Sequence, residues 1–124
     1  MTTKFTTDHE WVRMEADGTA TVGITAHAQD ALGDVVFVEL PATGRSYAQK
    51  DTAGVVESVK AAADVFMPIA GEVVAVNEAL VADPSLANSG PQGAGWFFRV
   101  RPGDAAQFEA LLDQSAYDRL LKDA

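Results

Sequence analysis

Lys60 is the residue of this chain whose type and position most favour chemistry. It lies in a predicted turn between two short Val-rich runs, at 54–59 and 64–67, that are expected to fold back on each other as strands. Its neighbours are uncharged and mostly small, so nothing bulky covers the amine, and Glu57 and Asp64 place a carboxylate on either flank. Such a lysine is commonly a solvated charge. The alternative is a point of covalent attachment.

A lysine amine suits attachment because its amide is neutral, resists hydrolysis and ends a long flexible stem. A tight hairpin holds the base of the stem still while the arm swings. The chemistry then belongs to the attached group, and the protein supplies attachment, orientation and shielding.

The sequence lacks the residue patterns that are typical of a self-contained active site. Neither His9 nor His27 falls in a pattern that places it beside a serine nucleophile. A metal site needs three or four convergent ligands. Residues 8–10 are predicted to lie on one strand, where successive side chains point to opposite faces, so these residues alone cannot bind a metal ion. The glycines of 90–95 lack the lysine and the following helix of a phosphate-binding loop. The sequence therefore predicts a protein that is not an enzyme and has neither catalytic nor metal-binding residues.

Composition and charge limit the class of protein. The chain has 124 residues, 48% hydrophobic and 22% charged, which predicts one soluble globular domain over 1–124. The formal charge of −9 argues against nucleic-acid binding. It favours solubility, and it is equally consistent with electrostatic steering of the protein toward basic surfaces of partners. There is no cysteine, and no apolar run approaches the roughly 20 residues that a membrane span requires. Without a secretory or transit signature, the expected location is the cytoplasm.

The first half of the chain is predicted to be mainly β. Thr25 and Gly33 have the residue types that cap the two ends of a helix. The β-branched run at 34–40 indicates a central strand covered on both faces. The predicted elements are, in order, a strand at 5–14 anchored by Trp11, a strand at 19–24 that pairs back on it, a helix at 26–32 and the strand at 34–40.

A weak repeat follows. A hydrophobic run that opens with Asp and ends in a Pro-x-x-Gly turn occurs at 34–44 and again at 64–71, and another strand follows at 72–76. Two similar halves would then face each other in a small β-sandwich or flattened barrel, which covers strand edges in a short chain. Coincidence in a sequence rich in these residue types explains the pattern equally well.

The second half ends in predicted helices. Both are expected to cover one side of the sheet, with a partner-binding helix as the alternative. The predicted elements are a surface connection at 77–95 with a helical turn at 78–81, a strand at 96–100, and a helical segment at about 104–122 made of a helix at 105–113 and a second one opened by a capping box at 115–118.

The hairpin-borne attachment segment, 54–77, read together with the rest of the chain, resembles the glycine cleavage system H protein family. Within that segment the shared residues are Glu57-Ser58-Val59-Lys60-Ala61, Pro68, Gly71-Glu72-Val73 and Asn77. Elsewhere they are His9-Glu10-Trp11-Val12, Gly23-Ile24-Thr25, Ala28-Gln29, the run from Leu32 to Pro41, and Gly95-Trp96. The motifs occur in order over nearly the whole chain.

The resemblance implies a lipoyl-type β-sandwich with quasi-twofold halves and lipoate bound covalently to Lys60. The lipoate-attaching enzyme would read Glu57 and Gly71, three residues before and eleven after the lysine. Glu10 and Asp64 match the acidic residues of the cleft that receives the loaded arm. Ala63, Met67 and Asp8 depart from the family pattern near that arm.

The resemblance also implies the partners. A pyridoxal-phosphate glycine decarboxylase would load an aminomethyl group on the arm, a folate-dependent aminomethyltransferase would remove it, and dihydrolipoyl dehydrogenase would reoxidise the dithiol. The carrier is expected to be monomeric.

Three alternatives remain. An H-like carrier could relay lipoate to other proteins or serve another redox or one-carbon system. A biotinyl or dehydrogenase-complex module is disfavoured because Val59 and Ala61, not methionine, flank the lysine and no acyltransferase linker is present. A stand-alone hydrolase would need the catalytic constellation that is missing.

Overall fold

The computed structural model describes residues 2–123 and is mainly β, with two sheets and C-terminal helices. The nine strands are β1 Thr3–Phe5, β2 Glu10–Met14, β3 Ala20–Ile24, β4 Val35–Glu39, β5 Ser46–Tyr47, β6 Thr52–Ser58, β7 Ala62–Phe66, β8 Gly71–Val76 and β9 Phe98–Pro102. The five helices are α1 Ala26–Leu32, α2 Glu78–Ala82, α3 Leu86–Ser89, α4 Ala105–Glu109 and α5 Gln114–Asp123.

Two antiparallel sheets pack face to face as a flattened, barrel-like sandwich. One has the order β1-β2-β3-β9-β8-β5 and the other the order β4-β6-β7. Because side chains alternate between the faces of each strand, the inward-facing residues of both sheets meet in one apolar core. That core includes Val12, Val22, Val56, Val73 and Phe98, each at most 1% exposed. The predicted fold class is confirmed.

The repeated Asp…Pro-x-x-Gly pattern marks two equivalent crossings between the sheets. The first copy leads from β4 to β5 and the second from β7 to β8, so each leads from the three-stranded to the six-stranded sheet. β5 and β8 then pair antiparallel, with Ser46 opposite Glu72. The two copies thus serve corresponding halves of the sandwich, and the repeat has a structural basis.

The N-terminal strand predicted at 5–14 is wrong in one respect: it is two strands folded into a hairpin. β1 pairs with β2, with Phe5 opposite Trp11, and the residues between them form a turn. Thr6 closes this turn, since its hydroxyl accepts hydrogen bonds from the N–H groups of Asp8 (3.2 Å) and Glu10 (3.1 Å). The turn was not predicted because strand-forming residues lie on both sides of it and its stability depends on a single hydroxyl.

The strand predicted to be central is an edge strand. β4 pairs only with β6, and a register shift between Val35 and Phe37 turns two neighbouring side chains to solvent. Val36 is 56% exposed and Phe37 48% exposed, whereas Val35 and Val38 face the core. A run of β-branched residues indicates that a segment forms a strand, but it does not tell whether that strand lies at the edge or in the centre of a sheet.

The first helix has the ends that its sequence predicts. The Thr25 side chain accepts a hydrogen bond from the N–H of Ala28 and so begins α1. Gly33 ends the helix with φ 80°. The paired strand β3 and this capped helix are confirmed at almost the predicted positions.

The two C-terminal helices contribute to two different apolar clusters, so they do not both cover one side of the sheet as predicted. Phe108 of α4 joins the main core, while Tyr117 of α5 forms a second apolar cluster with Phe5 and Trp11. The predicted capping box at 115–118 is wrong, because the carboxylate of Asp113 accepts the N–H of Ala116 and begins the helix.

The connection at 77–95 carries more structure than predicted, since it contains both α2 and α3. None of the helices within residues 2–123 has the length and hydropathy needed to cross a membrane.

Candidate functional site

The bend that carries Lys60 joins β6 to β7 and is closed by Ser58. The Ser58 N–H donates to the carbonyl of Ala61 at 2.7 Å. The Ser58 hydroxyl oxygen accepts from the N–H groups of Lys60 and Ala61, each at 3.1 Å. One side chain therefore determines the shape of the bend. The role of Ser58 was not predicted, although serine is one of the residue types that stabilise turns through its hydroxyl.

The Lys60 amine is exposed at the tip of this bend, as the sequence predicts. Among residues 2–123, no carboxylate forms an ion pair with its Nζ. The N–H of Val59 donates to the carbonyl of Asp34 at 3.0 Å, which ties the bend to the segment between α1 and β4. The base of the lysine is thus held, while its side chain is accessible from solvent.

Glu57 and Asp64 lie on the same solvent-exposed face of the three-stranded sheet. Glu57 is opposite Ala62, and Asp64 follows Ala62 by two positions on β7, so the two carboxylates are diagonal neighbours. Both side chains are exposed. The structure brings these two predicted site residues together beside the bend.

Glu10 occupies a different environment, because it is only 2% exposed. One carboxylate oxygen accepts the Thr6 hydroxyl at 3.0 Å and the other accepts the N–H of Phe66 at 3.1 Å. Burial raises the pKa of Glu10 to about 7, although both hydrogen bonds favour its ionised form. Phe66 is two residues from Asp64 on β7, so Glu10 of β2 contacts the same strand that carries Asp64. Glu10, the Thr6 hydroxyl and the Phe66 backbone are together called the Glu10 pocket.

Gly71 is the predicted site residue that lies away from the bend. It begins β8 in the six-stranded sheet, paired with Tyr47 and Pro102. The five residues of β7, roughly 17 Å of extended chain, and a corner separate it from Lys60. A Cβ on Gly71 would stand 2.4 Å from the carbonyl oxygen of Arg101. Gly71 is therefore required by a close approach of two strands and is not the turn glycine that the sequence suggested.

The three departures from the family pattern do not all face the arm. Met67 is fully buried in the main core, so it contributes packing rather than a surface to the cleft. Ala63 is exposed on β7, and Asp8 is exposed with its carboxylate 3.6 Å from the amine of Lys50.

His9, His27 and Tyr117 form a polar cluster next to the Glu10 pocket. The His9 Nδ1 and the Tyr117 hydroxyl are hydrogen-bonded at 2.8 Å, and the Tyr117 hydroxyl is also 2.8 Å from that of Thr25. The two imidazole rings are 4.5 Å apart. Burial, with repulsion from His27, lowers the pKa of His9. Asp8 and His9 lie in the turn after β1, not on a strand, and within 2–123 no group of three His, Asp or Glu residues could hold a metal ion.

Comparisons with known proteins agree with this geometry. The family model of the glycine cleavage H-protein matches residues 3–124. The glycine cleavage system H protein of Chromobacterium violaceum is 62% identical over 114 residues, which cover 92% of this chain and 89% of the relative. Glycine cleavage system H protein 1 of Pseudomonas aeruginosa is 62% identical over 118 residues, 95% of this chain and 92% of the relative.

A solved structure shows the same fold. The crystal structure of a glycine cleavage system H protein from Mycobacterium marinum superposes with a TM-score of 0.85 at 38% identity, covering 97% of this chain and 96% of that one. This chain belongs to the glycine cleavage H-protein family.

Proposed function

We propose that this chain is the lipoylated carrier of the glycine cleavage system, with lipoate bound as an amide to Lys60. The observation that carries the proposal is an exposed lysine amine on a bend held by hydrogen bonds, in a member of the H-protein family. The attached group would supply a disulfide that is reduced as it accepts the aminomethyl group of glycine. After that group has been removed, the resulting dithiol would be reoxidised by dihydrolipoyl dehydrogenase.

The chain's own residues have non-catalytic tasks in this proposal. They anchor the arm, shield its loaded end and present it to each partner in turn. A tethered arm meets a docked enzyme at an effective concentration in the millimolar range, so docking can be weak and brief. The partners would be glycine decarboxylase, aminomethyltransferase and dihydrolipoyl dehydrogenase, with the carrier acting in the cytoplasm as a monomer and a single domain, 1–124.

Attachment of lipoate would depend on Glu57 and, less directly, on Gly71. Glu57 is exposed beside the bend and is therefore accessible to the lipoate-attaching enzyme. Gly71 lies in the other sheet and permits the approach of Arg101. Its effect on attachment would act through the relative placement of the two sheets, or through a second contact with the enzyme.

Glu10 and Asp64 would receive the cationic end of the loaded arm. Asp64 is exposed, whereas Glu10 is buried beneath its hydrogen-bond partners, so an amine would reach Glu10 only if a neighbouring group moves aside. A pKa of about 7 leaves Glu10 partly protonated near neutral pH, and an arriving cation would favour its ionised form.

The energies suit reversible binding of the arm. Burying roughly four methylenes stabilises the bound arm by about 3 kcal/mol. Ordering the rotatable bonds costs on the order of 1–2 kcal/mol. The remainder biases the arm toward the cleft without trapping it.

The relay of lipoate to other proteins is not favoured, because the relatives are named for glycine cleavage. The proposal is tested by intact-mass and peptide mass spectrometry of the chain from lipoate-replete cells. We expect one lipoyl amide on Lys60. A bare Lys60 in the presence of a competent ligase contradicts the carrier assignment.

A further inference from the structure

The aliphatic stem of Lys60 lies against Gly33, the residue that ends α1. A Cβ built on Gly33 would stand 3.0 Å from the Cε of Lys60 and 3.6 Å from its Nζ. The stem therefore occupies the space that a side chain at position 33 would take. Gly33 has φ 80° and ψ −157°, a backbone conformation that is essentially restricted to glycine. The backbone alone requires the glycine, and the missing Cβ also leaves a notch for the lysine.

Asn88 of α3 holds this notch from the protein side. Its side-chain amide donates to the carbonyl of Gly33 at 2.9 Å and to the side chain of Gln29 at 2.9 Å. Its carbonyl oxygen accepts the N–H of Val35 at 2.8 Å. One side chain thus binds the residues before and after Asp34 and joins the end of α1 to the start of β4.

The bend is tied to the same segment from the other side. The N–H of Val59, the residue before Lys60, donates to the carbonyl of Asp34. The backbone that carries the lysine and the backbone that forms the notch are therefore held in one relative position. A lysine on a free loop would have no such constraint.

We propose that Gly33 is a seat for the stem of Lys60, and that Gly33 and Asn88 are positioning residues for the arm. The seat restricts the rotamers of the stem and sets the direction in which it leaves the bend. Contact over one methylene, the Cε, favours the seated conformers by about fourfold.

The helix α1 connects the seat to the neighbourhood of Glu10. Gly33 caps its last turn, and at its other end the N–H of the cap residue Thr25 donates to the carbonyl of His9, the residue before Glu10. An arm that leaves the seat toward Thr25 would follow this helix for about 10 Å and reach the Glu10 pocket. The seat is a property of the unmodified lysine; only this consequence for the arm rests on the proposed function.

The experiment is NMR of the unmodified chain labelled with [13C-ε]lysine. In the wild type we expect a nuclear Overhauser effect between the Lys60 Hε protons and the Gly33 Hα protons. We also expect a higher order parameter for the Cε of Lys60 than for that of Lys122, which is exposed in the last turn of α5. Absence of the cross-peak together with equal order parameters overturns the seat.

A matched pair of variants separates the notch from backbone strain. Gly33→Asn fills the notch, whereas Gly44→Asn places the same side chain at φ 89° where nothing lies within 4 Å of its Cβ. Both glycines have positive φ, so both variants strain the backbone, and the pair differs in whether the lysine stem lies beside the new side chain. We expect the Lys60 order parameter to fall to that of Lys122 in Gly33→Asn and to stay unchanged in Gly44→Asn.

A Gly33→Asn variant that folds and keeps the Lys60 order parameter contradicts the proposal. If this variant does not fold, the wild-type cross-peak and order parameters decide alone. Because the lysine is unmodified throughout, a chain that is never lipoylated in cells could still show the seat. Failure of the proposed function and failure of the seat are therefore distinguishable.

Discussion

The bend of Lys60 and the pocket of Glu10 use the same device in two environments. In each, a hydroxyl collects two backbone N–H groups and closes a turn, Ser58 in the bend and Thr6 in the pocket. The bend is exposed and its hydroxyl binds groups within three residues. The pocket is buried, and the Glu10 carboxylate that Thr6 contacts also binds a strand 56 residues away.

This difference separates accessibility from proton affinity. An exposed amine is accessible to a modifying enzyme. A buried carboxylate has its proton affinity set by the fold. Substitutions in the bend should therefore affect modification with little cost in stability, whereas substitutions in the pocket should affect stability and proton binding.

The largest expected effect is the loss of function in Lys60→Arg. The guanidinium cannot form the lipoyl amide, so lipoylation and glycine-dependent activity should be abolished. Because the side chain is exposed, the free energy of unfolding should change by less than about 0.5 kcal/mol. Intact mass, the activity of the reconstituted system and urea unfolding measure these quantities. Lys122→Arg is the control and should stay lipoylated, and glycine-dependent activity retained by Lys60→Arg refutes the assignment.

A pH dependence of stability is expected from the pocket. The pKa of Glu10 is about 7 in the folded chain, against 4.5 ordinarily. Its contribution to the free energy of unfolding is therefore fully present below pH 4.5 and is lost as the pH rises through 7, a decline on the order of 3 kcal/mol. Glu10→Gln should lack this decline.

Urea unfolding between pH 4.5 and 8 measures the difference between the two proteins. The lowered pKa of His9 acts in the opposite direction, since its protonation at low pH destabilises the fold. His9 is present in both proteins, so the difference isolates Glu10. Parallel curves for wild type and Glu10→Gln would show that Glu10 does not titrate as we infer.

The next effect is that of Thr6→Val in the pocket. The change keeps the shape and removes the acceptor of two N–H groups, so the free energy of unfolding should fall by about 2 kcal/mol. The pKa of Glu10 should rise further, because the Thr6 hydroxyl favours the ionised carboxylate. Thr52→Val, at an exposed position of β6, should change neither quantity.

The smallest effect is that of Ser58→Ala in the bend. Water can replace the lost partner of the Lys60 and Ala61 N–H groups, so the expected cost is about 0.5–1 kcal/mol. Hydrogen exchange at these two amides should accelerate while that of the core strands stays unchanged. Ser115→Ala, at an exposed position of α5, is the control. Equal costs for Thr6→Val and Ser58→Ala would invalidate the contrast between bend and pocket.

Several residues that act through short-range contacts were predicted correctly, although the turn closed by Thr6 and the cap at Asp113, which are equally local, were not. The bend at Lys60, the cap at Thr25 and the glycine that ends α1 depend on neighbours within four residues, and the structure has each of them at the predicted place. The resemblance in motifs then identified the family and, through it, the fold. Glu10, Glu57, Asp64 and Gly71 as recognition or cleft residues stay predictions.

Contacts between distant segments could not be predicted. Whether β4 is an edge or a centre depends on which strands pair with it, and this also decides that Phe37 is exposed. Position 88 lies in a stretch that the sequence presented as a surface connection, yet Asn88 holds the segment on which the lysine stem lies.

Local sequence specifies the exposed lysine and its bend, because the turn, the Ser58 hydroxyl and Lys60 are neighbours in the chain. The proton affinity of Glu10 and the seat at Gly33 arise only from the folded arrangement. Both depend on groups brought together across tens of residues by the packing of the two sheets, and desolvation and close contact exist only after that packing.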